Sequence, residues 1–191
     1  NPSPFVHGVY DEDIIQWRNI PTSYGIDEFR LARYAGERYV EGGYLLMASQ
    51  LHAGSLAALL PLWGQDHTEV MKRLPKIGGT TGWIDDCPTE LGRIEVEAGR
   101  RRKVVYEQGP ITNAMIRDML RKQCMIHFAG GAKQAIIPDR RGTTLRSERD
   151  LGLVDSVDTP PGMLQWTAPH PAGGCRMGRD PATPVGANDH R

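Results

Sequence analysis

The sequence lacks an excess of either charge: Lys and Arg number 23, and so do Asp and Glu. Nothing in that balance favours a polyanion-binding surface, so no nucleic-acid partner is expected. The one dense basic run, Arg100, Arg101, Arg102 and Lys103, lies between two strand-like stretches and reads as a solvated hairpin turn. Cysteine is scarce. Cys87, Cys124 and Cys175 are widely spaced and form no CxxC pair, which speaks against a disulfide framework or a zinc ribbon. Reduced thiols fit a cytoplasmic setting, and a cytoplasmic or membrane-peripheral location is expected. The longest apolar stretch, residues 51–63, is interrupted by His52, Gly54, Ser55 and Pro61 and is too short for a bilayer, so no transmembrane segment is expected. Internal repeats and low-complexity tracts are absent. No strand–GxGxxG–helix unit occurs, because "GGTTG" at 78–82 lacks both the spacing and the following helix. The chain is therefore not expected to build a dinucleotide-binding crevice of its own. It opens on Asn1 with no export pattern and reads as a piece of something longer.

What is present describes one globular domain. The 191 residues are 39% hydrophobic and 24% charged, enough to bury a core without metals or disulfides. Residues 2–10 look extended, and Pro2 and Pro4 suggest an edge or entry strand. Strands are also expected over 23–32, 37–47, 76–85, 92–98, 102–107, 133–138 and 162–168. In 92–98, Ile94 and Val96 alternate with Arg93, Glu95 and Glu97, a pattern with one wet face, and the short link to 102–107 predicts an antiparallel hairpin. A short buried helix is expected over 54–60 and a second over 66–74. The clearest helix spans 108–128: Pro110 suits its first turn, Ile111, Met115, Met119 and Met125 fall near one stripe, and Gly130-Gly131 ends it. Residues 143–157 read as a loop with a helical turn. Strands outnumber helices and hairpins join them. The expected fold class is α+β, a largely antiparallel multistranded sheet with helices packed on one face.

The chemistry concentrates at the end of the chain, in "HPAGGCRMGRDPATPVGANDHR". His170 stands between Pro169 and Pro171 and is followed by Gly173 and Gly174. Three readings are open for it: an imidazole fixed in a turn, a metal ligand paired with Cys175, or a catalytic base. Two candidate ligands fall short of the three or four that zinc requires. Proline on both sides limits the backbone and pre-positions the ring, while the glycines let a flat group approach the main chain. A histidine held in this way is equipped to take a proton from an alcohol. His52 and His67 flank the small apolar helix, and His127 reads as a packed or surface residue of the long one. Cys175 reads as a small buried side chain and Arg176 as a brace for the turn.

"HPAGGCRMG", followed by "DPATPVGANDHR", resembles the C-terminal signature of the glucose–methanol–choline (GMC) flavin oxidoreductases, roughly His-Pro-x-Gly-(Thr/Ser/Gly)-x-Arg-Met-Gly and then an acidic-proline turn. His170, Pro171, Gly173, Cys175, Arg176, Met177 and Gly178 match it, and Gly174 stands where many members carry Thr. Upstream, "GSLAALLPLWGQDHTEVMKRL", "GRIEV" and "ITNAMIRDMLRKQCMIHFAGGA" are similar to the substrate-binding half of the long-chain alcohol oxidase and dehydrogenase branch.

This resemblance implies a substrate-binding domain over 1–169 and the start of a flavin-facing segment over 170–191. It implies FAD held mainly by sequence outside this chain, with Gly173 and Gly174 next to the cofactor and His170 as the base. The second catalytic His or Asn of the family would lie beyond Arg191, and the Gly-rich FAD motif before Asn1. The implied reaction oxidises an apolar or bulky alcohol to an aldehyde or ketone by hydride transfer to flavin N5. Its implied partners are the alcohol, an FAD-binding domain or chain, and oxygen, a quinone or a cytochrome as electron acceptor. If 162–170 stays extended, Trp166 and Ala168 share the face of His170 and line the substrate pocket, Trp166 as a wall or as core packing. Two other readings stand beside this one: a non-catalytic binding or scaffold module that keeps the fold, and an enzyme whose flavin domain is a separate chain.

Overall fold

The computed structural model describes residues 2–20, 23–85, 92–97, 99–106, 108–168 and His170. In chain order the strands and helices are β1 (Ser3–Val9), β2 (Gly25–Ile26), β3 (Arg33–Ala35), β4 (Arg38–Glu41), β5 (Tyr44–Ser49), α1 (Ala53–Leu59), α2 (Gly64–Met71), β6 (Ile77–Ile84), β7 (Arg93–Glu97), β8 (Arg101–Val105), α3 (Pro110–Ala129), β9 (Gln134–Ile136), β10 (Thr144–Leu145) and β11 (Trp166–Thr167). Short 3-10 turns occur at Gln16–Arg18, Leu74–Lys76 and Glu148–Ser156. The architecture is α+β, with every strand pairing antiparallel.

Seven strands form the main sheet in the order β10-β9-β1-β6-β5-β2, and β11 also pairs with β1. β1 is thus central, not the edge or entry strand expected from its prolines. Its prolines do not oppose this. The ladder to β6 uses Phe5–Val9 and that to β9 uses His7–Val9, so no proline nitrogen is needed where both sides are paired. The single strand expected over 37–47 is split into β4 and β5 by Gly42 and Gly43, both left-handed at φ 85° and 83°. Asp118 of α3 closes that corner, accepting from Gly42 N (3.1 Å), Tyr39 Oη (3.3 Å) and Tyr44 Oη (2.6 Å). The 3-10 turn at Glu148–Ser156 falls inside the expected loop with a helical turn, and a capping box between Ser147 and Asp150 holds its start.

α3 covers one face of the sheet. It buries Met115, Ile116, Met119, Leu120, Cys124 and His127 against Val6, Tyr44, Leu46, Ile84 and Ile137. Met125 is exposed rather than part of that stripe. At 100° per residue it lies about 240° around the helix from Met119, whereas Gln123 and Cys124 continue the buried face. Over the β1–β9 end the opposite face is closed as well, where Val9, Leu60 and Ile136 pack with Leu62, Val70 and Met71 from the α1–α2 region. α1 is less buried than expected, with only Leu56 fully enclosed within it. The β7–β8 hairpin forms as expected, in register from Arg93↔Val105 to Glu97↔Arg101. Its apolar face is wet too, because the hairpin is a separate two-stranded sheet and Ile94, Val96 and Val104 stay exposed.

Candidate functional site

Strand alternation decides which side chains reach the face away from α3. A Cβ placed on Gly82 would lie 2.2 Å from Met119 Sδ, so Gly82 looks into α3 and Trp83 projects to the other side. Cross-strand partners share that side: Thr81 with Phe5 and Met47, and Gly79 with His7 and Ser49. β11 aligns Trp166 with Pro4 and Thr167 with Ser3. From there the chain runs on to His170, which is exposed, its ring centroid 4.4 Å from that of Trp83 with the planes at 56°. That is a tilted aromatic contact of ordinary distance. Trp83 is half-buried and acts as a floor under the imidazole.

The other expected site residues are placed as follows. Ala168 is exposed, as His170 is, while Trp166 is half-buried and packs against the main core. Gly173, Gly174, Cys175 and Arg176 lie outside the described residues. His52 caps α1, its Nδ1 accepting from Gly54 N at 3.1 Å. His67 ties α2 to α1 through Nε2 and the Ala57 carbonyl, 2.9 Å apart. The aromatic partner of His170 was not read from the sequence. Its signal was available in "GGTTGWID", where the residue after a helix-facing glycine must face the opposite way.

Two histidines are buried in the sheet itself. His127 Nε2 lies 3.1 Å from both the Val6 carbonyl and Thr80 Oγ. The carbonyl requires a donor, so Nε2 carries the proton and Nδ1 accepts from Tyr10 Oη at 2.8 Å. Thr80 in turn donates to Gln123 Oε1 at 2.9 Å. Burial pushes the His127 pKa down to about 4, opposed in part by the Val6 carbonyl. His7, on the far side of β1, is also driven to about 4, first by burial and then by His127, with the Leu59 backbone acting the other way. Beyond that Leu59 contact, neither His7 ring nitrogen has a hydrogen bond of full geometry. Cys124 is buried and its thiol is raised to about 12, which leaves it unreactive.

A groove of about 520 Å³ opens between the α1–α2 region and residues 162–165, the segment that leads into β11. Ala57, Leu60, Leu62, Trp63, Pro138 and Leu164 are among its lining residues. Among the described residues, no three or more His, Cys, Asp or Glu side chains gather as a metal site, and no helix is long and apolar enough to cross a membrane. Residues 78–82 lie inside β6, extended, and form no turn that could cradle phosphates.

No protein-family profile matches the sequence. The chain is similar to two uncharacterized GMC-type oxidoreductases of Mycobacterium tuberculosis, from strains CDC 1551 / Oshkosh and ATCC 25618 / H37Rv. It is 25% identical to each over 181 residues, covering 94% of this chain. The chain spans about a quarter, 27%, of the length of these curated relatives. The likeness is to the GMC type at large and does not reach any one branch.

Proposed function

We propose that this chain is the substrate-binding and base-carrying part of an FAD-dependent GMC alcohol oxidoreductase of the long-chain alcohol branch. Residues 1–169 form the substrate domain, and residues 170–191 begin the flavin-facing segment. The observation that carries this reading is His170, exposed on the sheet face opposite α3 and set against Trp83. FAD, when bound, supplies the two-electron acceptor for the carbinol hydride. The chain's own residues do the rest. A ring nitrogen of His170 takes the hydroxyl proton of the alcohol, and Trp83 limits the tilt of that ring. Ala168, just before His170, flanks the substrate, Trp166 backs that segment from the core, and Gly173 and Gly174 leave room beside the cofactor. The resemblance to the long-chain branch favours an apolar or bulky alcohol.

The test uses the full-length, flavin-loaded protein. His170→Ala should keep its flavin absorption and lose alcohol turnover by about 10²- to 10⁴-fold, the range that general-base catalysis supplies. A flavin-loaded variant that turns over at nearly the parent rate removes His170 as the base. A full-length parent protein with no flavin band and no alcohol oxidation removes the whole reading in favour of a binding module.

A further inference from the structure

The β7–β8 hairpin stands apart from the rest of the fold. It is a two-stranded sheet of its own, and none of its side chains joins the buried core. A hairpin with nothing packed on it is marginal in water. Its two sides differ. Cross-strand partners share a side, so Ile94 lies beside Val104 and Val96 beside Arg102 on one, with Arg93, Glu95, Glu97, Arg101, Lys103 and Val105 on the other. The second side is charged and pairs within itself. Arg93 Nε lies 2.7 Å from Glu95 Oε1, and Lys103 Nζ lies 4.0 and 3.9 Å from the Glu95 and Glu97 carboxylates. The first side is apolar and open, with Ile94, Val96 and Val104 at 67%, 72% and 73% exposure.

The basic run sits at the turn next to that open side. From Arg93 to Val105 the hairpin holds five cations and two carboxylates. Arg93 and Lys103 take up both carboxylates, which leaves Arg100, Arg101 and Arg102 in surplus. Among the described residues, none of these three guanidinium groups makes an ion pair or a side-chain hydrogen bond. Arg100 occupies a left-handed position, φ 62°, where Gly, Asn or Asp is the usual choice, so turn geometry does not account for an arginine there. Arg101 projects to the charged side, but its long stem lets the guanidinium reach around the turn.

Three unpaired arginines beside three exposed β-branched side chains define the chemistry of a partner. It must present several anionic groups next to an apolar layer. A nucleic acid supplies the first without the second, leaving Ile94, Val96 and Val104 in water. A lipid surface supplies both: a plane of phosphates, which a guanidinium fork grips in pairs, above the start of the acyl chains. Buried apolar area and attraction to anionic lipid are the two terms that set the strength of such binding.

We propose that the β7–β8 hairpin lies flat on an anionic lipid surface, with Ile94, Val96 and Val104 against the acyl boundary and Arg100, Arg101 and Arg102 on headgroup phosphates. At headgroup depth the outer backbone groups of the hairpin stay hydrated, so its open edges are no obstacle. The self-paired side faces water. This surface does not depend on the chemistry proposed for His170.

The test uses the full-length protein in sedimentation with large vesicles, of phosphatidylcholine alone or with about one part in three phosphatidylserine. Binding should be about tenfold or more tighter on the anionic vesicles. It should weaken severalfold as salt rises from about 0.1 to about 0.5 M. The combined change Arg100→Gln, Arg101→Gln and Arg102→Gln should weaken it about 100-fold. Ile94→Ser with Val104→Ser, which leaves the charge alone, should weaken it about tenfold. All five positions are exposed, so both variants should keep the parent Tm within about 2 °C. Val96→Trp reads the depth: relative to the parent, its added emission should shift to the blue only when anionic vesicles are present. Equal binding to both kinds of vesicle, no binding to either, or binding that survives both sets of changes overturns the proposal. So does added emission from Val96→Trp that is already blue without vesicles, since another part of the polypeptide then covers this side. A DNA duplex that binds where vesicles do not gives the arginines to a nucleic acid and overturns it as well.

Discussion

His127 and His7 lie on opposite sides of one strand, both buried, both driven to about 4 by desolvation, and they differ in one respect. His127, under α3, has every ring nitrogen engaged by Tyr10, Thr80 and Val6. His7, on the face that carries Trp83, has the Leu59 backbone beside it and no hydrogen bond of full geometry. Burial alone shifts a titration; the partner set tells whether a buried imidazole is structural. The α3 face therefore encloses a fully bonded imidazole, although Gln123 Nε2 beside it has no partner. The opposite face is less closely bonded, with the Gln16 and Ser49 side chains unpartnered near Gly79 and, further along β6, His170 exposed over Trp83.

The largest effect that can break this comparison is acid. An imidazole whose native pKa is lowered stays neutral in the fold while the unfolded chain takes up its proton from about pH 6.5 downward. Stability should therefore be fully present above that pH, decline as pH falls towards 4, and level off below it. At about 1.4 kcal/mol per pKa unit, each of the two histidines accounts for roughly 3 kcal/mol across the window. Urea unfolding at a series of pH values reads it directly. Replacing either histidine by Phe should remove about half of the slope. An unchanged slope in His7→Phe means that this ring is accessible to protons in the native state, and the contrast with His127 is lost.

Next in size is the cost of removing the fully bonded imidazole. His127→Leu keeps the volume roughly constant but leaves the Tyr10 hydroxyl, the Val6 carbonyl and one Thr80 contact unmet. The expected loss is about 3 kcal/mol of unfolding free energy, measured by denaturant titration at pH 7. A loss below about 1 kcal/mol would show that the network is not what holds α3 against β1.

How much of this was legible beforehand follows from which interactions are local. The β7–β8 hairpin, α3 and β6 were readable because period, proline placement and turn length act within a few residues. The central place of β1 was not, because the proline rule concerns nitrogens that ladder on both sides, and only long-range pairing shows that Pro2 and Pro4 are not among them. The split between β4 and β5 depends on Asp118, some seventy-five positions away in sequence but bonded across the corner. His170 stood out through its imino-acid neighbours. Trp83 and Gln16 did not, since nothing near Gln16 in sequence announces that Ile15, left-handed at φ 47°, turns it inward. Exposure of Ile94, Val96 and Val104 was likewise hidden, because alternation reports an apolar face and not whether anything covers it.

The smallest effect tests the close approach that gives the two faces their assignment. Gly82→Ala directs a methyl group at Met119 Sδ, 2.2 Å from the ideal Cβ, with Leu46 Cδ2 at 3.0 Å. The sulfur belongs to an unbranched side chain with several rotatable bonds, so it can move aside at the expense of local repacking. The expected loss is about 1–2 kcal/mol, at the lower end of what overpacking a core costs, with flavin content and alcohol turnover of the full-length protein unchanged. Stability equal to the parent would mean that α3 stands off from β6 at this point. Then Gly82 would not fix the alternation that sends Trp83 to the face of His170.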